Sequence, residues 1–258
     1  MPILRQGAGS VALKHCLPME NINPLSPELL VLLQSVDTCA ISNAIETLNV
    51  RMRNDGFIQY PLKCLIPSLP PIAGHAVTGR IRTGAPPISS LCYYQRTDWW
   101  EYMAQFPSPK IMVLADVGRS PGGAAFVGEI HAEICRALGC VGYVSNGAIR
   151  DLPALQRIGF QCFSGGVSPS HGYGHIVDFG EPVEIGGLKI APGDVLQGDL
   201  HGVQSIPRGV HSQLADAVRK IQEHENELIR LCNSPDFSIR KLSAMLGKDA
   251  SCPSPNRL

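Results

Sequence analysis

Charge is scarce in this 258-residue chain: 17% of residues are Asp, Glu, Lys or Arg, and 22 basic side chains cancel 22 acidic ones. Without a surplus of basic residues the surface offers little to nucleic acid or to an anionic membrane. No apolar run approaches the ~18 residues of a membrane-spanning helix, and the stretch from Met1 to Pro18 holds no apolar segment of the signal-peptide kind. C-x-x-C pairs are absent, and the cysteines, at 16, 39, 64, 92, 135, 140, 162, 232 and 252, are odd in number. That usage speaks against a zinc ribbon or a disulfide framework and for free thiols in a reducing compartment. The terminal Asn256-Arg257-Leu258 loosely resembles a peroxisomal address but fits poorly at its first position, so the cytoplasm is the expected location.

What is present is apolar: 44% of residues are hydrophobic, which excludes a disordered chain. A chain of this length buries well over half of its unfolded surface and needs neither disulfide nor metal to fold. The 26 glycines and 21 prolines are spread along the chain, as short connections inside one compact domain would require. Ser26-Pro27-Glu28 announces a helix carrying Leu29, Leu30, Leu32, Leu33 and Val36. A second helix, capped by Asp37 or Thr38, repeats Ala40, Ile41, Ala44, Ile45 and Leu48 at helical spacing. A strand is expected at 74–81, and a helix over 97–106 carries both tryptophans for packing.

The middle of the chain is the clearest. Residues 111–115 form an apolar run ended by Asp116, followed by the glycine-rich loop Gly118–Gly123. A helix then places Ile130, Ile134, Ala137 and Leu138 on one face and stops at Gly139. Another strand, 141–145, precedes the turn pair Asn146-Gly147. This β-α-β unit predicts parallel strands with a right-handed crossover. From 161 to 207 short strands dominate, with Gly186-Gly187 as a two-residue hairpin turn, and a long amphipathic helix runs from about 210 to 232. The expected fold class is therefore α/β, with packed sheets and flanking helices around the β-α-β unit.

Two constellations compete for the chemistry. The glycine loop after Asp116 loosely resembles the ligand loop of S-adenosylmethionine-dependent methyltransferases or a Rossmann turn. The next strand, however, ends in Ser145-Asn146, without the carboxylate that would hold a ribose. The second constellation is Gly128-Glu129-Ile130-His131 with Arg150-Asp151, twenty residues later. One helix and one strand bring the strand tip back beside the first helical turn, the crevice where parallel sheets place ligands. There the free amides of Ile130 and His131 can receive a carboxylate, Arg150 can face an anionic oxygen, and Asp151 and Glu129 offer oxygen ligands to Mg²⁺ or Mn²⁺. The bland alternative is a surface ion pair after a turn and a solvated glutamate on a helix. His171-Gly-Tyr-Gly-His175 has metal-like spacing but reads as a loop, and His75 and His201 as packing or loop residues, with His201 at most bordering the site.

Residues 139–151, Gly-Cys-Val-Gly-Tyr-Val-Ser-Asn-Gly-Ala-Ile-Arg-Asp, preceded by Gly128-Glu129, resemble the signature of the RraA-like family. That family includes 4-hydroxy-4-methyl-2-oxoglutarate aldolases and a regulator of ribonuclease E activity. The likeness continues through Gly74–Arg80, Pro182–Gly187, Ala191–Leu196 and Gly198–Val203, covering about residues 26–232. It sets off an N-terminal extension, 1–25, and a C-terminal helix and tail, 233–258. The resemblance implies a β/β/α swivelling fold in a homotrimer or homohexamer, with sites at subunit interfaces. By position, Asp151 would hold the metal directly and Glu129 through water. Arg150 would contact the oxo oxygen, the Ile130 and His131 amides the substrate carboxylate, and Glu225 would come from a neighbouring subunit's C-terminal helix.

Departures from the pattern are Glu at 129 for Asp, Asn146 and His201 where Asp is frequent, and a segment, 93–103, that does not align. The resemblance thus implies a divalent-metal-dependent lyase that cleaves a 4-hydroxy-2-oxo acid or oxaloacetate through a pyruvate-type enolate. None of the seven lysines falls in the site motifs, which disfavours a Schiff base. A metal-bound water or His131 is the candidate base. The alternatives are a protein-binding regulator on the same fold and, third, a methyltransferase.

Overall fold

The computed structural model describes residues 22–59, 62–88 and 93–248. Helix α1 (Pro27–Ser35) starts at Ser26, whose hydroxyl accepts from Leu29 N–H, and α2 (Thr38–Thr47) at Asp37, which accepts from Ala40 N–H. These caps satisfy amides that an unflanked helix end leaves bare. The strands are β1 (Lys63–Cys64), β2 (Ile72–Arg82), β3 (Lys110–Asp116), β4 (Ala125–Val127), β5 (Cys140–Ile149) and β6 (Gln161–Val167). They continue with β7 (His175–Phe179), β8 (Val183–Ile185), β9 (Leu188–Ile190), β10 (Val195–Asp199) and β11 (Gly202–Ile206). Between them lie α3 (Arg96–Ala104), α4 (Glu129–Ala137) and α5 (Leu152–Arg157), and α6 (Leu214–Cys232) and α7 (Ile239–Lys248) close the chain.

Nine strands make one mixed sheet in the order β1-β6-β5-β3-β2-β10-β11, with β4 beside β5 and β7 beside β2. The centre, β2-β3-β5-β6, is parallel, as the β-α-β reading predicts; β4 joins β5 in parallel too, and β1, β7 and β10 pair antiparallel with it. Alternation along these strands divides the core. Val77, Met112, Leu114, Tyr143 and Cys162 face α3, α4 and α5. Ala76, Ile111, Val113, Val144 and Phe163 face the β8-β9 hairpin. That hairpin turns on Gly186 and Gly187, both at positive φ, where a side chain would strain the backbone. Helices α1, α2 and α6 enclose a third cluster around Leu33, Ile41, Ile45, Leu214 and Val218. Among the described residues no single helix is long and apolar enough to cross a membrane.

Two features around the site depart from the sequence expectation. Asn146-Gly147 is not a turn but lies inside β5, which runs on to Ile149 by pairing with β4 and β6. The Asn146 amide holds it there, accepting from Asp116 N–H at 2.7 Å and donating to Asp116 C=O at 3.0 Å. The glycine-rich loop is likewise turned inward. Buried Asp116 accepts from Thr83 Oγ1 and from the amides of Gly118 and Gly122, so those amides serve the protein's own carboxylate. That use removes the support for a nucleotide-type loop.

Candidate active site

The chain passes from β4 through Gly128 into α4, and twenty-two residues later from β5 through Arg150 into α5. Arg150 N–H donates to Val127 C=O at 3.1 Å, which fixes the two crossings side by side. Gly128 is extended, at φ −142°, so its lack of a side chain is a matter of space rather than backbone freedom. A Cβ there would stand 2.5 Å from Asp151 Oδ2 and 2.9 Å from Arg150 Nε. Asp151 itself is left-handed, at φ 63° and ψ 33°. A non-glycine residue holds that conformation at a cost of about 1–3 kcal/mol, and such strain gathers at functional sites. Here it turns the carboxylate away from its own helix, α5, and back toward α4. Oδ2 accepts from Glu129 N–H at 2.9 Å and lies 3.6 Å from Arg150 Nε.

Within α4 the first intrahelical bond runs from Ala132 N–H to Gly128 C=O. The amides of Ile130 and His131 precede it and have no acceptor inside the helix. The Ile130 side chain is 78% exposed at the mouth of the site. His131 is 5% exposed, packed edge-on against Trp100 and Phe126. Burial, reinforced by the Arg96 cation, lowers its pKa to about 4. Its Nδ1 lies 3.1 Å from Arg96 Nη1 and 3.5 Å from Phe126 C=O. Guanidinium nitrogen can only donate, so the shorter contact, to Arg96, requires Nδ1 to accept, and the buried Nε2 then has no hydrogen-bond partner among the described residues. A ring held neutral by burial and engaged in this way is a poor proton acceptor at neutral pH, which weighs against His131 as the base.

Arg96, Trp100, Phe126, Gly128, Glu129, Ile130, His131, Ile134, Arg150, Asp151 and His171 enclose one cavity of about 420 Å³. All six residues singled out between 128 and 151 therefore share a wall. Glu129 is committed elsewhere in part: its Oε1 lies 2.6 Å from Arg157 Nη2 on α5. Glu225 is outside this cavity in a single chain, where it accepts from Asn43 Nδ2 at 3.2 Å. His201 is also outside it, paired with Asp199 at 3.3 Å. His171 lines the site whereas His175 lines a neighbouring cavity, so the two do not form a metal pair. Arg96, Trp100 and Phe126 reach the site from parts of the chain where no motif marks them.

The oxygen chemistry suits a hard divalent ion, since Mg²⁺ takes one or two carboxylates and keeps several waters. Both contacts to the Asp151 carboxylate fall on Oδ2, which leaves Oδ1 for a cation. The donor count is low, however. Among the described residues no three His, Cys, Asp or Glu side chains come together to hold a metal.

Residues 38–204, more than half of the chain, match the RraA-like (Aldolase/RraA) family. A protein of Halalkalibacterium halodurans, provisionally named 4-hydroxy-4-methyl-2-oxoglutarate aldolase, is 32% identical over 120 residues, 45% of this chain and 56% of that protein. A protein of Marinomonas sp. with the same provisional name is 32% identical over 118 residues, 45% of this chain and 71% of that one. Among solved structures, an uncharacterized protein from Pseudomonas syringae superposes with a TM-score of 0.68 at 22% identity, covering 88% of this chain and 97% of its own. Streptomyces coelicolor RraAS2, described as an unusual member of the RNase ES inhibitor RraA family, gives 0.59 at 20% identity, over 79% and 96% of the two chains. At such identities the structures speak to the fold alone. On the strength of the match over residues 38–204, this chain belongs to the RraA-like family.

Proposed function

We propose that this chain is a divalent-metal-dependent carbon–carbon lyase acting on a 4-hydroxy-2-oxo acid or on oxaloacetate. The observation that carries the reading is the strained Asp151 beside Arg150 at the tip of β5, facing the first turn of α4 across one cavity. Bound at Asp151, with Glu129 acting through water, Mg²⁺ or Mn²⁺ would supply Lewis-acid stabilisation of negative charge on the substrate's oxo oxygen. The protein's own groups share that task. The Ile130 and His131 amides and the positive end of α4 would receive the substrate carboxylate. Arg150, 38% exposed in its side chain, would face the oxo oxygen as it gains charge on C–C cleavage. Oxaloacetate losing CO₂ and an aldol losing its carbonyl half leave the same enolate, so one set of donors serves both. We further infer a homotrimer or homohexamer in which Glu225 of a neighbouring copy joins the site.

A second reading, a protein-binding regulator on the same fold, is favoured by the donor inventory. Within one chain no three-ligand group is present among the described residues, and Glu129 is paired with Arg157. On that count the regulator is the better supported of the two. The Arg150–Asp151 arrangement and the names of the two curated relatives favour the lyase. Incubation of purified protein with oxaloacetate and Mg²⁺, with and without EDTA, separates them. EDTA-sensitive pyruvate release supports the lyase, and its absence with oxaloacetate and 4-hydroxy-2-oxo acids supports the regulator.

A further inference from the structure

Resting on the lyase reading, we propose that Arg96 is a specificity-determining residue that pairs with the second, distal carboxylate of a dicarboxylic 2-oxo acid. Arg96 opens α3 and is half-buried. Its guanidinium lies 4.6 Å above the Phe126 ring and donates to neutral His131 at 3.1 Å. Neither contact supplies a negative charge. A cation withdrawn from water normally has an acid beside it. Among the described residues the acids of this wall are engaged with other arginines: Glu129 with Arg157, and Asp151 with Arg150. Three arginines thus meet two carboxylates, and the unmatched positive charge sits on Arg96.

Position points the same way. Arg96 and Phe126 form the partition between the Arg150–Asp151 cavity and a second cavity of about 440 Å³ lined by Tyr93, Tyr94 and His175. A ligand anchored by its 2-oxo acid end near Arg150 would direct its far end toward this partition. A distal carboxylate there gains the missing counter-charge, and a methyl group leaves the guanidinium half-desolvated and unpaired. Discrimination of this kind is strong because the penalty falls on the wrong ligand. His131 acts here as a positioning residue: its unprotonated Nδ1 holds Nη1 in place without adding a second cation.

The test uses a pair of ligands matched in length, 2-oxoglutarate and 2-oxopentanoate, titrated calorimetrically into the full chain with Mg²⁺ present. The wild type is expected to prefer the dicarboxylate by about 10- to 100-fold, the range of one charge-assisted pair. Arg96→Leu should bring the ratio close to one, and Arg96→Lys, which keeps the charge but loses the planar fork, should retain part of it. The same ratio, read as kcat/KM for 4-hydroxy-2-oxoglutarate against 4-hydroxy-2-oxopentanoate, which undergo the same C3–C4 cleavage, should collapse in parallel. An unchanged preference in Arg96→Leu, or equal binding of both ligands by the wild type, would overturn the assignment. A dicarboxylate preference that Arg96→Leu removes, in a protein releasing no pyruvate from any substrate, would reject the lyase reading and keep Arg96 as an anion-reading residue.

Discussion

Replacing His131 by asparagine removes a titrating group that the fold keeps neutral, and the consequence for acid stability can be worked out. In the unfolded chain the imidazole titrates near 6.5, and in the folded chain burial and Arg96 lower this to about 4. Between those values the unfolded state binds the extra proton and the folded state does not. Stability is therefore fully present above about pH 6.5 and is lost as pH falls toward 4. The two pH units between 6.5 and 4.5, at 1.36 kcal/mol each, make the contribution of this residue about 2–3 kcal/mol between pH 7 and pH 4.5. Urea unfolding of wild type and His131→Asn at both pH values isolates it, because the carboxylates titrate alike in each protein. The wild type should lose about 2–3 kcal/mol more than the variant over that interval. Equal losses would show that the ring is protonated in the folded state, and with it that Arg96 cannot be donating to Nδ1.

Gly128→Ala tests the contact between the two chain crossings. The added methyl collides with Asp151 Oδ2 and Arg150 Nε, so stability should fall by about 1–3 kcal/mol, as in other overpacked sites, and ligand binding in the cavity should weaken with it. A variant that binds and melts like wild type would mean Asp151 is free to move. Asp199→Ala tests the junction of β10 with α2. The buried Asp199 carboxylate accepts from Thr38 N–H and Oγ1–H, both at 2.7 Å, and from His201 N–H at 2.8 Å. Its removal strands those donors and should cost about 3–5 kcal/mol in denaturant unfolding; a loss below 1 kcal/mol would contradict the network.

The β3-α4-β5 unit was legible because its signals are local: an apolar run, an i, i+4, i+7, i+8 stripe ending at Gly139, and a second apolar run. The Gly186-Gly187 hairpin was legible for the same reason. Asn146-Gly147 misled because its turn chemistry is overridden by tertiary partners, the Asp116 backbone and the neighbouring strands. Helix α5 escaped notice because it has six residues, too few for a periodic pattern, and starts from a left-handed aspartate. In the site, the residues of α4 and of the β5–α5 junction were nameable from one crossover and its register. Arg96 comes from an element far along the chain, His171 stood out only for a spacing to His175 that the fold does not use, and the Glu129–Arg157 pairing depends on how α5 packs. His131 looked like an available base because burial and tautomer are properties of the folded environment.

The central claim is that Arg150 and Asp151 act together at one strand tip. Pyruvate release from oxaloacetate, followed with Mg²⁺ in wild type, Arg150→Ala and Asp151→Asn, tests it most directly. The account predicts EDTA-sensitive turnover in the wild type and at least a 100-fold loss in each variant, in line with the ~10²–10³ of removed transition-state donors, with melting temperatures close to wild type. Variants that both turn over at the wild-type rate, or a wild type indifferent to EDTA, would contradict it.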